Sequence, residues 1–455
     1  MVLALGADVV EAIPADVELL PARDRPAIHV DDGHALGAAP ARAELAIRRD
    51  REAHLHVTRQ RYVTARTVRS VDRSTTAADS LPLLFYGDSY RFPDIYQATR
   101  FLAPDPVIAI EHGDQRILLV NALEQGRAEK GSRATRVRNV NEFGHRELTA
   151  EGRDLDEVVA GVIQRFLAEL AVRAVRVPGY FPLGVADRLR ALGVAVEVAA
   201  DLEGRRRLKR PDEIAFIEAA QRATEEAWAA GVDALRRADV RADGVLTLDG
   251  AVLTAERLRA IVEGEILARG CRTPEGTIVA PGKQAADPHE EGTGPLRAGE
   301  PIVMDIYPQH GSRYFADFTR TVSKRRPSDE ICRMYEVVKR AQDEAIAMLR
   351  PGVRGLAVHE HVEDVIFAAG YDTQRPGHRH HPDDPVIRGF FHGTGHGVGL
   401  EIHEPPAIGR GKWGMVALEP GVYDPDIGGV RLEDLLVITP DGARDLTRAP
   451  RDLVV

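Results

Sequence analysis

Five polar residues set into apolar, strand-like stretches late in the chain constrain its fold more than any other feature. Asp305 ends "PIVMD", Asp317 lies twelve residues on within "YFADFTRTV", His396 sits in "GTGHGVG", Glu419 closes "MVALE" before Pro-Gly, and Glu433 sits in "RLED". A carboxylate is expensive to bury unless a cation or a hydrogen-bond donor compensates it. Four acids and a histidine embedded this way, spread over about 130 residues, require a common compensating arrangement.

Taken singly, each position has an ordinary reading. Asp305 and Asp317 would suit a surface strand pair, the glycines around His396 an ordinary turn, and Glu419 a strand end. Arg431 and Glu433, two residues apart on one strand face, would suit a structural ion pair. Taken together and in order, they describe a site. Strands joined by the turn "PQHGS" bring Asp305 and Asp317 side by side, and a divalent cation removes the repulsion between them. Glycines beside His396 permit close backbone approach. Four carboxylates and one imidazole form a mostly hard ligand shell, suited to Mn²⁺ or Mg²⁺, with the imidazole leaning toward transition metals. Two such ions bridged by carboxylates with a water between them make a hydrolytic centre.

The remaining sequence narrows the class. A chain of 455 residues predicts roughly two to three domains. With 60 basic and 70 acidic residues and a net charge of −10, broad binding to a phosphate backbone is not expected, so no nucleic-acid partner is assigned. Only Cys271 and Cys332 occur, too few for a disulfide framework or a Cys-rich zinc site, and both read as small core or semi-buried residues rather than nucleophiles. No apolar run approaches the ~20 residues of a membrane helix. The first 20 residues lack a basic start and are interrupted by Asp and Glu, unlike a secretory signal. A soluble cytoplasmic protein without a membrane partner is the expectation.

Along the chain, residues 1–78 keep no sustained hydrophobic period and read as an extension of unclear structure. From 79 to 203 strands alternate with helices. "LPLLFY" reads as a strand, "PVIAIEHGDQRILLV" as a hairpin turning at His112-Gly113-Asp114, and Val158, Val159, Ile163, Phe166, Leu167 and Leu170 as one helical face. The basic segment "GRRRLKRPD" at 204–212 reads as a solvated linker rather than a nucleic-acid patch. Pro211, Asp212 and Glu213 then open a long helix. Strands are expected near 276–281, 301–307 and 313–323, followed by two helices and a strand-rich remainder. "GHRHHPDDP", with His378, His380 and His381, reads as a solvated loop and not a metal site.

Residues from about 210 to 447 resemble the "pita-bread" metallopeptidases of family M24: methionine aminopeptidase, aminopeptidase P and prolidase. The similarity is greatest to the Xaa-Pro group. It is carried by "MDIYPQHGSRYFADFTRTV", "FHGTGHGVGLEIHEPP", "MVALEPGVY" and "GVRLEDLLV". The resemblance implies an α/β (α+β) chain with a catalytic pita-bread domain over 204–455, preceded by a smaller creatinase N-terminal-like α/β domain over 79–203. It implies two divalent metal ions, Mn²⁺ first with Co²⁺ or Zn²⁺ as alternatives, on Asp305, Asp317, His396, Glu419 and Glu433. Asp317 and Glu433 would bridge them, and Glu419 would shuttle the proton. His289 in "ADPHEEGTG" and His403 in "EIHEPP" match substrate-binding histidines, and His392 and Arg431 match outer positions. Tyr307 stands where the family often has Gly.

What this implies for function is hydrolysis of the bond between an N-terminal residue and a following proline. A metal-bridging hydroxide would attack the scissile carbonyl. The partner is then a small peptide with proline second, as a dipeptide (prolidase) or longer (aminopeptidase P), and the protein a homodimer. The alternatives are a non-peptidase hydrolase or lyase on the same fold, and a peptide-binding protein without catalysis. All five ligand positions are kept, which weighs against the latter.

Overall fold

The computed structural model describes residues 81–455 apart from 201, 381, 386–387 and 409–414. The expectations for residues 1–78 and for His381 lie outside the described residues. All described residues belong to one compact unit.

Six strands over 83–198 build a mixed sheet. In spatial order they are Arg136–Asn139, Gln115–Val120, Val107–His112, Leu83–Gly87, Ala174–Val177 and Ala195–Val198. The expected hairpin forms, with His112 opposite Gln115 and Gly113 taking the left-handed conformation that a tight turn requires (φ 58°). Apolar side chains on both faces of the central strands need cover on both sides. Helix Leu155–Glu169 supplies one side through Val158, Val159, Val162, Ile163, Phe166 and Leu167. Asp154 caps it, accepting from the Glu157 amide. Helix Pro93–Thr99 covers the other face with Ile95 and Ala98.

The connector differs from the solvated linker expected for it. Arg206 and Lys209 have side chains only 3% exposed, because Asp94, Glu401 and Glu404 surround them. None of these three carboxylates is near in sequence, so composition alone could not reveal the neutralisation.

Helix Pro211–Arg237 follows, with Pro at its start and Asp212 and Glu213 in its first turn, as expected. It packs on helix Ala255–Ala268, which is capped by the Thr254 hydroxyl. The two lie over a three-stranded sheet of Ile278–Pro281, Ile302–Asp305 and Thr319–Val322. The last strand is shorter than the 313–323 expected. Arg313 adopts a left-handed backbone (φ 75°), and the chain becomes a ladder only at Thr319. Helices Asp329–Met348 and Gly355–Ala368 cover two further four-stranded sheets. One contains Gly421–Asp424 and Gly428–Arg431; the other contains Gly395–His396, Met415–Leu418 and Asp434–Thr439. No helix among the described residues is long and apolar enough to cross a membrane.

Candidate metal centre

Strand ends and one cross-sheet bridge bring the acids together. Asp305 is the last residue of its strand and pairs with Thr319. Thr319 in turn bridges to Glu433, whose amide donates to the Thr319 carbonyl at 3.0 Å. Asp317 lies two residues before that strand. His396 sits opposite Ala417 on a two-residue strand, and the Glu419 amide donates to the Thr394 carbonyl at 2.9 Å. The glycines around His396 have a steric reason. A Cβ on Gly395 would stand 2.0 Å from the Ala417 carbonyl oxygen, and one on Gly397 2.5 Å from that of Glu404.

Asp317, His396 and Glu433 each place one ligand atom within 4.8 Å of the others. His396 Nδ1 faces the Gly397 carbonyl at 3.2 Å. A carbonyl only accepts, so Nδ1 carries the proton and Nε2 keeps its lone pair. That lone pair points toward Asp317 at 3.5 Å and Glu419 at 3.6 Å. Burial lowers the His396 pKa and so favours this neutral form. An imidazole lone pair facing two carboxylates is an arrangement a cation resolves. Two buried carboxylate oxygens, Asp305 Oδ1 and Glu433 Oε1, have no hydrogen-bond partner within the protein, which fits the same group.

The electrostatics agree. Burial, followed by repulsion from Glu433 and Asp305, pushes the Asp317 carboxyl well above its usual range. Burial and repulsion from Glu419 and Asp305 do the same for Glu433. Glu419 is raised mainly by burial. Arg431 offsets part of this charge. It pairs with Asp305 rather than with its strand neighbour Glu433, and donates to the Thr319 hydroxyl oxygen at 3.3 Å and the Pro288 carbonyl at 3.3 Å.

All nine residues singled out from the sequence line one cavity of about 610 Å³: the five candidate ligands with His289, His392, His403 and Arg431. His289 and His403 are exposed on its wall, and the His403 ring meets His396 edge-on at 4.3 Å. His392 gives Nδ1–H to the Gly393 carbonyl at 2.8 Å and takes the Tyr423 hydroxyl on Nε2 at 2.9 Å. Burial raises the Tyr423 phenol to about 12.

Sequence reasoning missed Tyr423 and Thr319. Thr319 donates its hydroxyl to Glu433 Oε2 at 2.7 Å. Nothing in the local sequence distinguishes either from an ordinary strand residue; only their cross-strand partners do. The histidine-rich loop stays apart from the site. His378 and His380 both stack on Phe367, with ring centroids 4.4 Å away in each case. Cys271 is buried and Cys332 half-buried, and both are free thiols.

Residues 215–440 match metallopeptidase family M24. A probable dipeptidase PepE of Mycobacterium tuberculosis is 34% identical over 235 residues, covering 49% of this chain and 59% of that protein. A Xaa-Pro dipeptidase of Lactobacillus helveticus is 30% identical over 266 residues, covering 57% and 65%. The match to PepE thus spans about three-fifths of that relative's length. Among solved structures, an X-Pro aminopeptidase from Thermotoga maritima superposes with a TM-score of 0.65 at 24% identity, covering 82% of this chain and 97% of that one. Dipeptidase PepE from Mycobacterium ulcerans superposes with a TM-score of 0.62 at 25% identity, covering 83% and 93%. The fold is the pita-bread fold preceded by a smaller α/β unit, as the sequence motifs implied.

Proposed function

Because its residues 215–440 place this chain in metallopeptidase family M24, we propose that it hydrolyses the bond between an N-terminal residue and a following proline. The observation that carries this reading is the buried meeting of Asp317, His396 and Glu433 inside a cavity that also presents His289 and His403.

Asp305, Asp317, His396, Glu419 and Glu433 would hold two divalent cations, with Asp317 and Glu433 shared between them. The excess of carboxylate over imidazole favours Mn²⁺, with Co²⁺ or Zn²⁺ as substitutes. When bound, the cations would supply Lewis acidity, acidifying the attacking water and polarising the scissile carbonyl. Glu419, with a carboxyl raised by burial, is suited to take a proton from the attacking water and pass it to the leaving proline nitrogen. His403 and His289 orient the peptide and stabilise developing negative charge. Arg431 fixes Asp305 by an ion pair, leaving the other oxygen of that acid for a cation. The unit over 79–203 would act as the smaller domain that limits substrate length, beside a catalytic domain over 204–455. The reading extends to a homodimer in the cytoplasm, and light scattering of the purified protein measures the first part.

The test pairs metal analysis by mass spectrometry with a screen of Ala-Pro against Ala-Pro-Ala. Metal-dependent cleavage of one or both is expected, and their ratio assigns the dipeptidase or the aminopeptidase P type. Bound metal without turnover of any Xaa-Pro peptide would overturn the reading.

A further inference from the structure

Two cations of the connector, Arg206 and Lys209, have buried side chains held by Glu404, the residue after His403. Arg206 Nη1 donates to Glu404 Oε2 at 3.0 Å, and Lys209 Nζ lies 2.6 Å from Glu404 Oε1. Arg206 also pairs with Glu401, and its Nε lies 3.2 Å from Asp94 Oδ1. Asp94 is buried on helix Pro93–Thr99, which covers the six-stranded sheet. A guanidinium taken from water at this depth is costly unless its partners are fixed, so these contacts bind the sheet unit, the connector and residues 401–404 into one assembly.

Glu401 and Glu404 flank Ile402 and His403. Glu404 exchanges two backbone hydrogen bonds with Gly397, each 2.9 Å, next to His396. Gly399 makes room for the Glu404 carboxylate, since a Cβ there would lie 2.3 Å from Oε1. The loop between the two histidines is thus closed by backbone at Gly397 and anchored by carboxylates to Arg206. His403 itself is exposed to the cavity, with its ring edge-on to His396, so the loop that carries it helps to set its direction.

We propose that Arg206 is a positioning residue: by holding Glu401 and Glu404 it aims His403 over the cluster of acids, and through Asp94 it makes that aim depend on docking of the six-stranded sheet. This rests on reading the cavity as a peptidase site.

The experiment is a double-mutant cycle with Arg206→Met, which keeps the stem and deletes the charge, in wild-type and His403→Ala backgrounds. Arg206→Lys serves as the conservative variant. Hydrolysis of Ala-Pro and Ala-Pro-Ala with Mn²⁺, metal content, and the ring ¹⁵N shifts of His403 in histidine-labelled protein are read together. Arg206→Met is expected to lower kcat about tenfold or more with KM and metal content little changed. Arg206→Lys should recover part of the loss, and the His403 signal should move. In the His403→Ala background the same change should cost nothing further. Arg100→Met is the control: Arg100 pairs with Asp212 at 2.6 Å between the same two regions without touching the loop, and kcat should be retained. An additive loss in the cycle, an equal loss in Arg100→Met, or a fall in Tm with kcat and the His403 signal unchanged would overturn the proposal. If Arg206→Met fails to fold, Arg206→Lys and Asp94→Asn are read the same way, each expected to lower kcat and move the signal. A wild-type protein that cleaves neither peptide would refute the peptidase reading, while the His403 signal would still decide the positioning role.

Discussion

Thr319 and Glu433, 114 residues apart, are joined twice: by a backbone bridge and by the Thr319 hydroxyl donating to Glu433 Oε2 at 2.7 Å. The bond fixes one oxygen of the acid and leaves the other without a protein partner, in a residue that lines the cavity. Thr319→Val keeps the shape and deletes the hydroxyl. Metal affinity is expected to weaken about 10- to 100-fold, measured by isothermal titration on metal-stripped protein. Unchanged affinity would show that the hydroxyl does not orient Glu433.

Asp317 and Glu433 each bring one ligand atom within 4.8 Å of the other and of His396, and the proposed assignment makes each of them a shared ligand. Asp317→Ala and Glu433→Ala are expected to lose bound metal and Xaa-Pro hydrolysis together, by mass spectrometry and peptide assay. Full activity in either variant would break the ligand assignment.

The raised carboxyls predict the sign of a pH effect in metal-free protein. Burial with mutual repulsion lifts Asp317 above its ordinary 3.8 and Glu433 above 4.5, and burial lifts Glu419 in the same way. Above those ordinary values the folded state holds more protons than the unfolded chain, so this contribution to stability falls as pH rises and is lost above the folded-state values. Asp317→Asn cannot ionise. Metal-free wild type should therefore lose stability relative to Asp317→Asn as pH climbs from about 4 to about 7, and metal should reverse the trend. Thermal unfolding across that range checks it; a wild type gaining on the variant would contradict it.

Gly397 is tied to contact rather than to flexibility. A methyl group there would press within 2.5 Å of the Glu404 and Pro405 carbonyl oxygens, both on backbone that cannot swing aside. Gly397→Ala is expected to destabilise by about 1–3 kcal/mol and to displace the His396–His403 loop. Denaturant unfolding measures the first effect, and metal affinity the second.

Tyr307 lines the cavity and packs against the apolar groups around Ile278 and Ile402, filling space that a glycine would leave open. Tyr307→Gly is expected to raise kcat/KM for Phe-Pro relative to Ala-Pro by about tenfold. A ratio that stays constant would remove Tyr307 from substrate selection.

Much of this was legible in the sequence because it depends on short-range pattern. The hairpin at Gly113, the helix opened by Pro211 and the acids ending apolar strands all carry local signals. The five candidate ligands were legible because burying so many acids near one another is costly enough to demand a reason. What escaped the sequence is set by partners far along the chain. Arg431 chooses Asp305 over the nearer Glu433, Tyr423 meets His392 across a sheet, and the solvated-linker reading of Arg206 and Lys209 failed because Asp94 and Glu404 neutralise them from more than 100 residues away on either side.

The bridge from Thr319 to Glu433 also bears on when such a chain acquires its metal. Asp305 and Asp317 emerge from the ribosome more than 110 residues before Glu433, and closing so long a loop is entropically costly until the intervening helices and sheets have condensed. A nascent chain would therefore present only half a cradle, with little preference among ions. Selection among metals would fall at the end of synthesis, when the last strands close, and would reflect whichever divalent ion the surrounding compartment supplies at that moment.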